Sequence, residues 1–213
     1  MNRLTFILVA FMAASPFVWS HFKKNTDNKE HVAIANIKKK ADEKNVAVMR
    51  LHSFANKLAE YAKENDYNSH YCFLVDMKIT SGSNRFFVYD LKKDSILHSG
   101  LVAHGYGNSN GENITFSNVP GSNSSSIGKY KIGHSYNGKF GLAYKLHGLD
   151  KTNSNAFDRF VVLHAHECVP KNEIAPEPLC MSQGCPTVAP SFLKTLATYL
   201  DESDKPLLLW IFN

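Results

Sequence analysis

The chain has 213 residues, of which 44% are hydrophobic, and a net charge of +5 from 24 Lys and Arg against 19 Asp and Glu. This length fits one globular domain with a small appendage. Nucleic-acid-binding proteins read phosphates and bases largely with arginine, but this chain has only Arg3, Arg50, Arg85 and Arg159, and its lysines are scattered. The composition therefore argues against a nucleic-acid partner.

The N-terminus has the layout of a secretory signal peptide. Arg3 precedes an apolar run at residues 4–14, and Val18 and Ser20 are small enough for the two positions that determine cleavage, although residues 18–20 are not a clean Ala-x-Ala. We predict a signal peptide at residues 1–20 and an exported protein, located in the periplasm or cell envelope. An uncleaved membrane anchor is the alternative, although the run is shorter than the roughly 20 apolar residues that a spanning helix needs.

Residues 21–68 are predicted to form a linker and a helical N-terminal segment. Residues 22–32 are polar and charged, which is typical of a linker. From residue 32 to residue 65, apolar side chains recur at spacings of three and four. This pattern predicts two helices, or one helix broken near Asn45, packed as a cap on the domain that follows.

From residue 69 the apolar period changes to two, which predicts strands. Strands are expected at "YCFLVDMKI", "RFFVYDLKKD", "SILHSGLVAHG", "KYKIGHSY", "GKFGLAYKL" and "RFVVLHAHECV". Between the third and fourth lies a long Gly/Ser/Asn-rich loop, and such loops are often functional. The chain ends with a helix, "PSFLKTLATYLDES", and a buried apolar strand, "PLLLWIF". We predict a mainly β (α+β) domain at residues 69–213, with helices at each end and a closing strand.

Cys185 is the first candidate functional residue because it lies in "SQGCPTV", between Gly184 and Pro186. In an extended "RFVVLHAHECV", His164 and His166 point to the same face. A thiol with a pKa of about 8.5 is mostly protonated at neutral pH, and a neighbouring imidazole takes its proton and stabilises the thiolate as an ion pair. A Cys–His pair therefore predicts acyl transfer through a cysteine nucleophile.

The glycine suggests how an oxyanion would be bound. Gly184 permits a sharp bend, so that the N–H groups of Gly184 and Cys185 are free to face a developing negative charge. Ser182 is expected to contribute its hydroxyl, or to orient the histidine through its carbonyl. No Asp or Asn stands out as a third member of the group, and a backbone carbonyl can take that role.

These motifs resemble those of a known family. "VVLHAHECV" followed by "SQGCPTV" is similar to the His … Ser-x-Gly-Cys signature of the exported murein L,D-transpeptidase family of YkuD type. Upstream segments resemble successive blocks of that family in the same order: "FLVDMKITSGSNRFFVYDL", "GLVAHGYGN", "FSNVPGSNSSSIGKYKIG", "YNGKFGLAYKLHGLD" and "NSNAFDRFVVLH". The resemblance covers roughly residues 70–213 and implies an L,D-transpeptidase-type β-sandwich or barrel.

The resemblance also implies a reaction. Cys185 would attack the bond between an L-centre and D-Ala in a peptidoglycan stem peptide, release D-Ala and form an acyl-enzyme. His164 matches the general base and acid, Gly184 the oxyanion-hole glycine and Ser182 the motif serine. Side chains in the matching blocks would contact the substrate: His166, His104, Ser117, Asn118, Ser125, Ser126 and Tyr130. One departure is Met181, since relatives often have a basic residue before the motif serine.

The resemblance implies no cofactor and no metal, with peptidoglycan peptides as partners; we also expect a monomer. Acceptor identity stays open, so L,D-carboxypeptidase activity is an alternative outcome. Papain-like and NlpC-type peptidases place the cysteine before the histidine, whereas here His164 comes first. Sortases need an arginine after the cysteine, and this chain has no arginine after Cys185. The sequence therefore argues against both kinds of enzyme.

Two alternatives from other classes remain. A zinc-binding structural protein could use His164, His166 and Cys168 with Cys180 or Cys185, and a wall-binding module could be catalytically idle. A disulfide between Cys168 and Cys180 would stiffen the segment between the histidines and Cys185. Cys72 is expected to be a small buried residue or an unpaired thiol.

Overall fold

A computed structural model describes residues 16–107 and 114–213. The chain divides into two compact units, residues 1–46 and Ala47–Asn213. The predicted signal peptide falls mainly on residues 1–15, which lie outside the described residues. Within the described ranges, no helix has both the length and the apolar composition required to cross a bilayer.

The N-terminal segment is a single helix, α1 (Pro16–Glu64). The prediction of two helices, or of a break near Asn45, was wrong, and residues 22–32 belong to the helix rather than to a linker. After Pro16 the helix contains neither proline nor glycine, and one asparagine costs only a few tenths of a kcal/mol in a helix interior. The helix ends just before Asp66, whose φ of 59° is left-handed and incompatible with its continuation.

The larger unit is built on one nine-stranded sheet, and the prediction of a mainly β domain with a C-terminal helix and a closing strand is confirmed. Its strands are β1 (Tyr71–Asp76), β2 (Phe86–Asp90), β3 (Ser95–Gly100), β4 (Val102–Ala103), β5 (Gly128–Gly138), β6 (Gly141–Gly148), β7 (Val162–Ala165), β8 (Thr187–Val188) and β9 (Leu208–Phe212). The spatial order is β3-β2-β1-β9-β5-β6-β7-β8-β4. The pairs β1–β9 and β7–β8 are parallel and the others antiparallel.

Both faces of the central strands are buried. The part of α1 that lies in the larger unit packs Leu51 and Leu58 on one face, against a cluster that includes Leu74. Leu193 and Leu196 of α2 (Pro190–Asp201) belong to the core cluster on the other face. Burial on two sides explains why β1 and β9 are almost continuously apolar.

Three short strands at one edge, β7, β8 and β4, position the candidate site. In the parallel β7–β8 pair, His164 lies opposite Thr187, two residues after Cys185. The segment between these strands is closed by a disulfide between Cys168 and Cys180, as expected from the sequence. Cys72 is free and buried in β1, and Cys185 is free and partly exposed.

Candidate active site

Cys185 lies on a turn that only glycine can form at the preceding position. Gly184 has a φ of +115°, which L side chains rarely adopt. A Cβ atom at this position would lie 2.9 Å from the carbonyl oxygen of Ser124. The bend expected from the sequence is therefore present, and it leaves the Cys185 thiol partly exposed.

The hydroxyl of Ser182 holds this turn closed. It donates a hydrogen bond to the carbonyl oxygen of Cys185 at 2.7 Å and accepts one from the N–H of Gly184 at 3.1 Å. The expectation that the Gly184 N–H is free to face an oxyanion was therefore wrong, because it donates its hydrogen bond to the hydroxyl of Ser182. The carbonyl of Ser182 accepts from the N–H of Tyr106 at 2.9 Å, and the carbonyl oxygen that orients His164 is instead that of Ala165, 3.0 Å from Nδ1. Within the described ranges, the N–H of Cys185 has no hydrogen-bond partner.

The sulfur of Cys185 lies against the backbone at the start of β7. The N–H of Val162 points to Sγ at 3.5 Å, and the carbonyl oxygen of Phe160 lies 3.8 Å from it. Phe160 has a left-handed φ of 56°, an uncommon conformation for a bulky residue. Burial raises the pKa of the Cys185 thiol, while the Val162 N–H and the Arg159 charge oppose this rise.

His164 is buried, and each of its ring nitrogens has a partner. The Nδ1 atom lies 3.0 Å from the carbonyl oxygen of Ala165, which can only accept, so Nδ1 carries the proton. The Nε2 atom is then the acceptor, and it lies 3.0 Å from the hydroxyl of Thr187. The imidazole also stacks on Phe140, with ring centroids 5.0 Å apart. Burial lowers the pKa of His164, helped by the charge of nearby His166 and opposed by the hydrogen bond to Ala165.

His164 lies in β7 and Cys185 on the turn that leads into the parallel strand β8, without a direct hydrogen bond between the two side chains. The Thr187 hydroxyl lies between the two residues, 3.0 Å from Nε2 of His164 and 3.4 Å from the carbonyl oxygen of Cys185. The raised pKa of the thiol and the lowered pKa of the imidazole both favour the neutral forms. The polar contacts of the sulfur and of the imidazole are to other groups, so the arrangement does not show the contact that the expected thiolate–imidazolium ion pair needs. Catalytic hydrogen bonds are often long or poorly aligned before substrate binds.

Ser125, Ser126 and Tyr130 support the site from behind. The Ser125 hydroxyl donates to the carbonyl oxygen of Gly184 at 3.0 Å and accepts from the N–H of Gly105 at 2.9 Å. The hydroxyls of Ser126 and Tyr130 lie 2.7 Å apart, and all three side chains are at most 1% exposed. They do not line an open surface in this structure, although the sequence suggested them as substrate contacts.

Ser117 and Asn118 bind the long loop to the segment before β7. The side chain of Asn118 bonds to the carbonyl oxygen of Lys151, the hydroxyl of Ser154 and the N–H of Asn155. The carbonyl oxygen of Ser117 accepts from Arg159 at 2.7 Å. Residues 117 and 118 of the loop are therefore held to the segment before β7 by polar contacts of both side chain and backbone.

The other two predicted substrate contacts are histidines at the ends of β4 and β7. Nδ1 of His104 accepts from the buried guanidinium of Arg85 at 2.8 Å, and its carbonyl oxygen accepts from the N–H of Ser182 at 2.8 Å. Nδ1 of His166 accepts from the N–H of Cys168 at 3.1 Å, and its ring contacts Phe140 edge-on. Both imidazoles thus lie next to the elements that carry Ser182 and His164.

The buried His104 predicts a loss of stability in acid. Burial, reinforced by the Arg85 charge, lowers the pKa of His104 to about 4, compared with about 6.5 in an unfolded chain. Between these pH values the unfolded chain binds the proton and the folded chain does not, so stability falls as the pH falls from 6.5 to 4. The expected loss from this residue is about 3 kcal/mol at pH 4.

Chemical denaturation at pH 7 and pH 4 measures this loss in the wild type and in His104→Asn, which keeps an acceptor for Arg85 but does not titrate. The difference in unfolding free energy between the two pH values should shrink in this variant and stay unchanged in His98→Asn, since His98 is exposed. An equal pH dependence in the wild type and His104→Asn would contradict the prediction.

The disulfide bears directly on the zinc alternative. That arrangement needs the thiolate of Cys168, with Cys180 or Cys185 completing the shell, but Cys168 and Cys180 are bonded to each other. Their sulfurs are therefore not thiolates, and the zinc alternative is not supported. Over residues 16–107 and 114–213, no three His, Cys, Asp or Glu side chains converge as metal ligands would.

Sequence reasoning missed four residues of the site: Phe140, Arg159, Phe160 and Thr187. Thr187 meets His164 through the β7–β8 pairing, and Phe140 stacks on it from the turn between β5 and β6; the sequence alone specifies neither contact. The sequence gives a weak indication that Arg159 is functional, since it is one of only four arginines and comes just before an apolar strand. Phe160 is recognised only by its left-handed backbone and by its carbonyl next to the sulfur.

Curated protein sequences give no significant match. Among solved structures, the helical cell shape determining protein Pgp2 from Campylobacter jejuni is 12% identical, with a TM-score of 0.44, over 66% of this chain and 46% of that one. An Enterococcus faecium L,D-transpeptidase mutant is 13% identical, with a TM-score of 0.41, over 67% of this chain and 50% of that one. The chain spans about half the length of these two proteins.

The family comparison covers far more of the chain. The sequence profile of the L,D-transpeptidase catalytic domain matches residues 42–210, a segment that contains every residue described above around Cys185. The resemblance expected from the motifs is confirmed, and the chain belongs to the L,D-transpeptidase catalytic domain family.

Proposed function

We propose that the protein is an exported cysteine acyltransferase that acts on peptidoglycan stem peptides. The observation that supports this most directly is the free, partly exposed thiol of Cys185, held on a glycine turn two residues before β8, the strand that pairs with His164. The family match adds the substrate class, since members of this family are L,D-transpeptidases. The scheme requires no cofactor.

In the first half-reaction, Sγ of Cys185 attacks the carbonyl carbon of the bond between the L-centre and D-Ala. The thiol proton passes to Nε2 of His164, and the carbonyl oxygen becomes an oxyanion that accepts from the Cys185 N–H. As the C–N bond breaks, the amine of D-Ala takes the proton from His164. The product is a thioester between the stem peptide and Cys185.

In the second half-reaction, a nucleophile attacks the thioester carbonyl and gives its proton to His164. The C–S bond breaks, and the thiolate recovers the proton from the imidazole. An amine from a neighbouring stem gives transpeptidation, whereas water gives L,D-carboxypeptidase activity. The chemistry of the enzyme's own residues is the same in both cases, so the acceptor decides the outcome.

The resting hydrogen bonds of His164 bear on this scheme. The bond from Nδ1 to the carbonyl oxygen of Ala165 holds the tautomer in which Nε2 is basic, and the lowered pKa of His164 keeps that nitrogen unprotonated at neutral pH. We infer that the Thr187 hydroxyl leaves Nε2 when substrate binds, because the same nitrogen must then accept the thiol proton.

Export is part of the proposal. A signal-peptide layout at residues 1–20 supports it, and so does the Cys168–Cys180 disulfide, since such bonds persist in oxidising compartments. Stem peptides also lie outside the cytoplasmic membrane. We expect a monomer in that compartment.

Incubation with a defined disaccharide-tetrapeptide, followed by mass analysis of the products, tests the proposal. Release of D-Ala with formation of a cross-linked dimer supports transpeptidation, and release of D-Ala with a tripeptide product supports carboxypeptidase activity. If the tetrapeptide binds but stays intact, the protein is an idle wall-binding module and the catalytic proposal is wrong.

A further inference from the structure

Arg159 connects three parts of the site. Its Nη1 donates to the carbonyl oxygen of Ser117 at 2.7 Å, and its Nη2 donates to the carbonyl oxygen of Ser124 at 2.7 Å and to the hydroxyl of Ser122 at 3.3 Å. The same Nη2 atom would lie only 3.5 Å from a Cβ atom added to Gly184. The guanidinium therefore lies between the 117–124 loop and the turn that carries Cys185.

The backbone after Arg159 leads directly to the sulfur. Phe160, with its left-handed φ of 56°, places its carbonyl oxygen 3.8 Å from Sγ of Cys185, and the Val162 N–H follows at 3.5 Å. A residue at the start of this segment is thus fixed relative to the sulfur by two backbone contacts. An uncommon backbone conformation next to a nucleophile is often part of the function of a site.

The charge of Arg159 is not neutralised by a carboxylate. Its acceptors are two carbonyl oxygens and a hydroxyl, and no Asp or Glu in the described ranges forms a salt bridge with it. A half-buried guanidinium without a counter-ion interacts strongly with any negative charge that forms nearby. The charge that forms nearby in the proposed reaction is the thiolate of Cys185.

The other titratable groups around the sulfur are neutral at pH 7. Burial, more than any other cause, raises the pKa of Tyr130 on β5 to about 12, so its phenol stays protonated. Burial lowers the pKa of His164 on β7, so its imidazole is uncharged. The position before the motif serine, where relatives often have a basic residue, is occupied by Met181. Among the described residues, Arg159 is therefore the positively charged side chain that lies against the glycine turn and acts on the Cys185 thiol.

We propose that Arg159 is a positioning residue whose guanidinium stabilises the Cys185 thiolate and holds the 117–124 loop against the glycine turn. The proposal deepens the proposed function and rests on it for the use of the thiolate. When the thiol proton moves to Nε2 of His164, the negative charge on Sγ gains a cationic neighbour that is already in place. The reaction then needs no charged imidazole in the resting state.

The pH dependence of Cys185 alkylation by iodoacetamide tests this without requiring any enzymatic activity. Arg159→Gln removes the charge, and alkylation at pH 7 should slow about tenfold, with its pH midpoint moved upward. Arg159→Lys keeps the charge and should stay much closer to the wild type. Lys92→Gln, in the β2–β3 turn, controls for net charge and should have no effect. Mass spectrometry of the Cys185 peptide separates it from the buried Cys72.

Two outcomes would overturn the proposal: an unchanged pH midpoint in folded Arg159→Gln, or equal shifts in Arg159→Gln and Arg159→Lys. The second would assign the effect to lost hydrogen-bond geometry rather than to charge. If Arg159→Gln does not fold, Ser122→Asp places a carboxylate against the guanidinium, with Ser122→Asn as its uncharged match. Ser122→Asp should raise the alkylation midpoint relative to Ser122→Asn, and equal midpoints would overturn the proposal.

The experiment also separates this inference from the proposed function. Thiolate stabilisation is measured on the protein alone, whereas transpeptidation is measured on the tetrapeptide. A shifted midpoint in Arg159→Gln together with an intact tetrapeptide would leave the inference standing and remove the proposed reaction.

Discussion

Replacing Cys185 by Ala is expected to abolish acyl-enzyme formation and leave the fold intact. The thiol is the only atom group at the site that can form the thioester, so turnover should fall by at least about 10⁴-fold. The side chain is partly exposed and its sulfur makes only two weak polar contacts, so little packing is lost. A carbapenem is a β-lactam whose carbonyl carbon a nucleophilic cysteine can attack, which opens the lactam ring and leaves a covalent adduct. Intact-mass measurement after incubation with a carbapenem detects this adduct, and circular dichroism reports the fold.

Cys72→Ala is the matched control, because Cys72 is the other free thiol and is 1% exposed. Burial raises the pKa of Cys72 far above its usual range, so this thiol is inert and the variant should form the adduct as the wild type does. A carbapenem adduct on Cys185→Ala, or retained turnover, would refute the assignment of the nucleophile.

Most of the strands could be predicted from sequence because their cause is local, but β8, which has only two residues, was missed, and β3 and β4 were expected as one strand. The pattern in "YCFLVDMKI" located β1, although this strand is buried on both faces and ends at Asp76, before the end of that segment. The helix was harder, since a polar run such as residues 22–32 indicates a linker only if nothing else favours helix. The absence of glycine and proline from residues 17–64 was the stronger indication, and it explains the single long helix.

In the candidate site, too, features that depend on adjacent residues could be predicted and those that depend on the fold could not. Gly184 and Cys185 are adjacent in sequence, and the left-handed φ of Gly184 follows from the motif itself. Partners that depend on tertiary contacts could not be predicted in this way. Ser182 takes the N–H of Gly184, and Thr187 takes Nε2 of His164, only because the turn and the β7–β8 pairing bring those atoms together.

The largest effect after that of Cys185 is expected for His164. In His164→Gln no side chain can take the thiol proton, and turnover should fall by about 10²–10⁴-fold. In the wild type, burial lowers the pKa of His164, so the base stays neutral to a lower pH than an exposed histidine would, and activity is lost as the pH falls through this lowered pKa. That acid limb should disappear from the pH profile of His164→Gln, whose residual rate rises with thiol ionisation in base.

His166→Gln is the control that decides which histidine acts. Nδ1 of His166 accepts from the backbone N–H of Cys168, and His166 lies just beyond the end of β7, whereas His164 lies opposite Thr187 in the strand pair next to the sulfur. A loss of less than about tenfold in His166→Gln is expected, since this side chain takes no proton in the scheme. Equal losses in the two variants, with both proteins folded, would show that the two imidazoles act as one unit around Phe140. In that case the assignment of the base to His164 alone would be wrong.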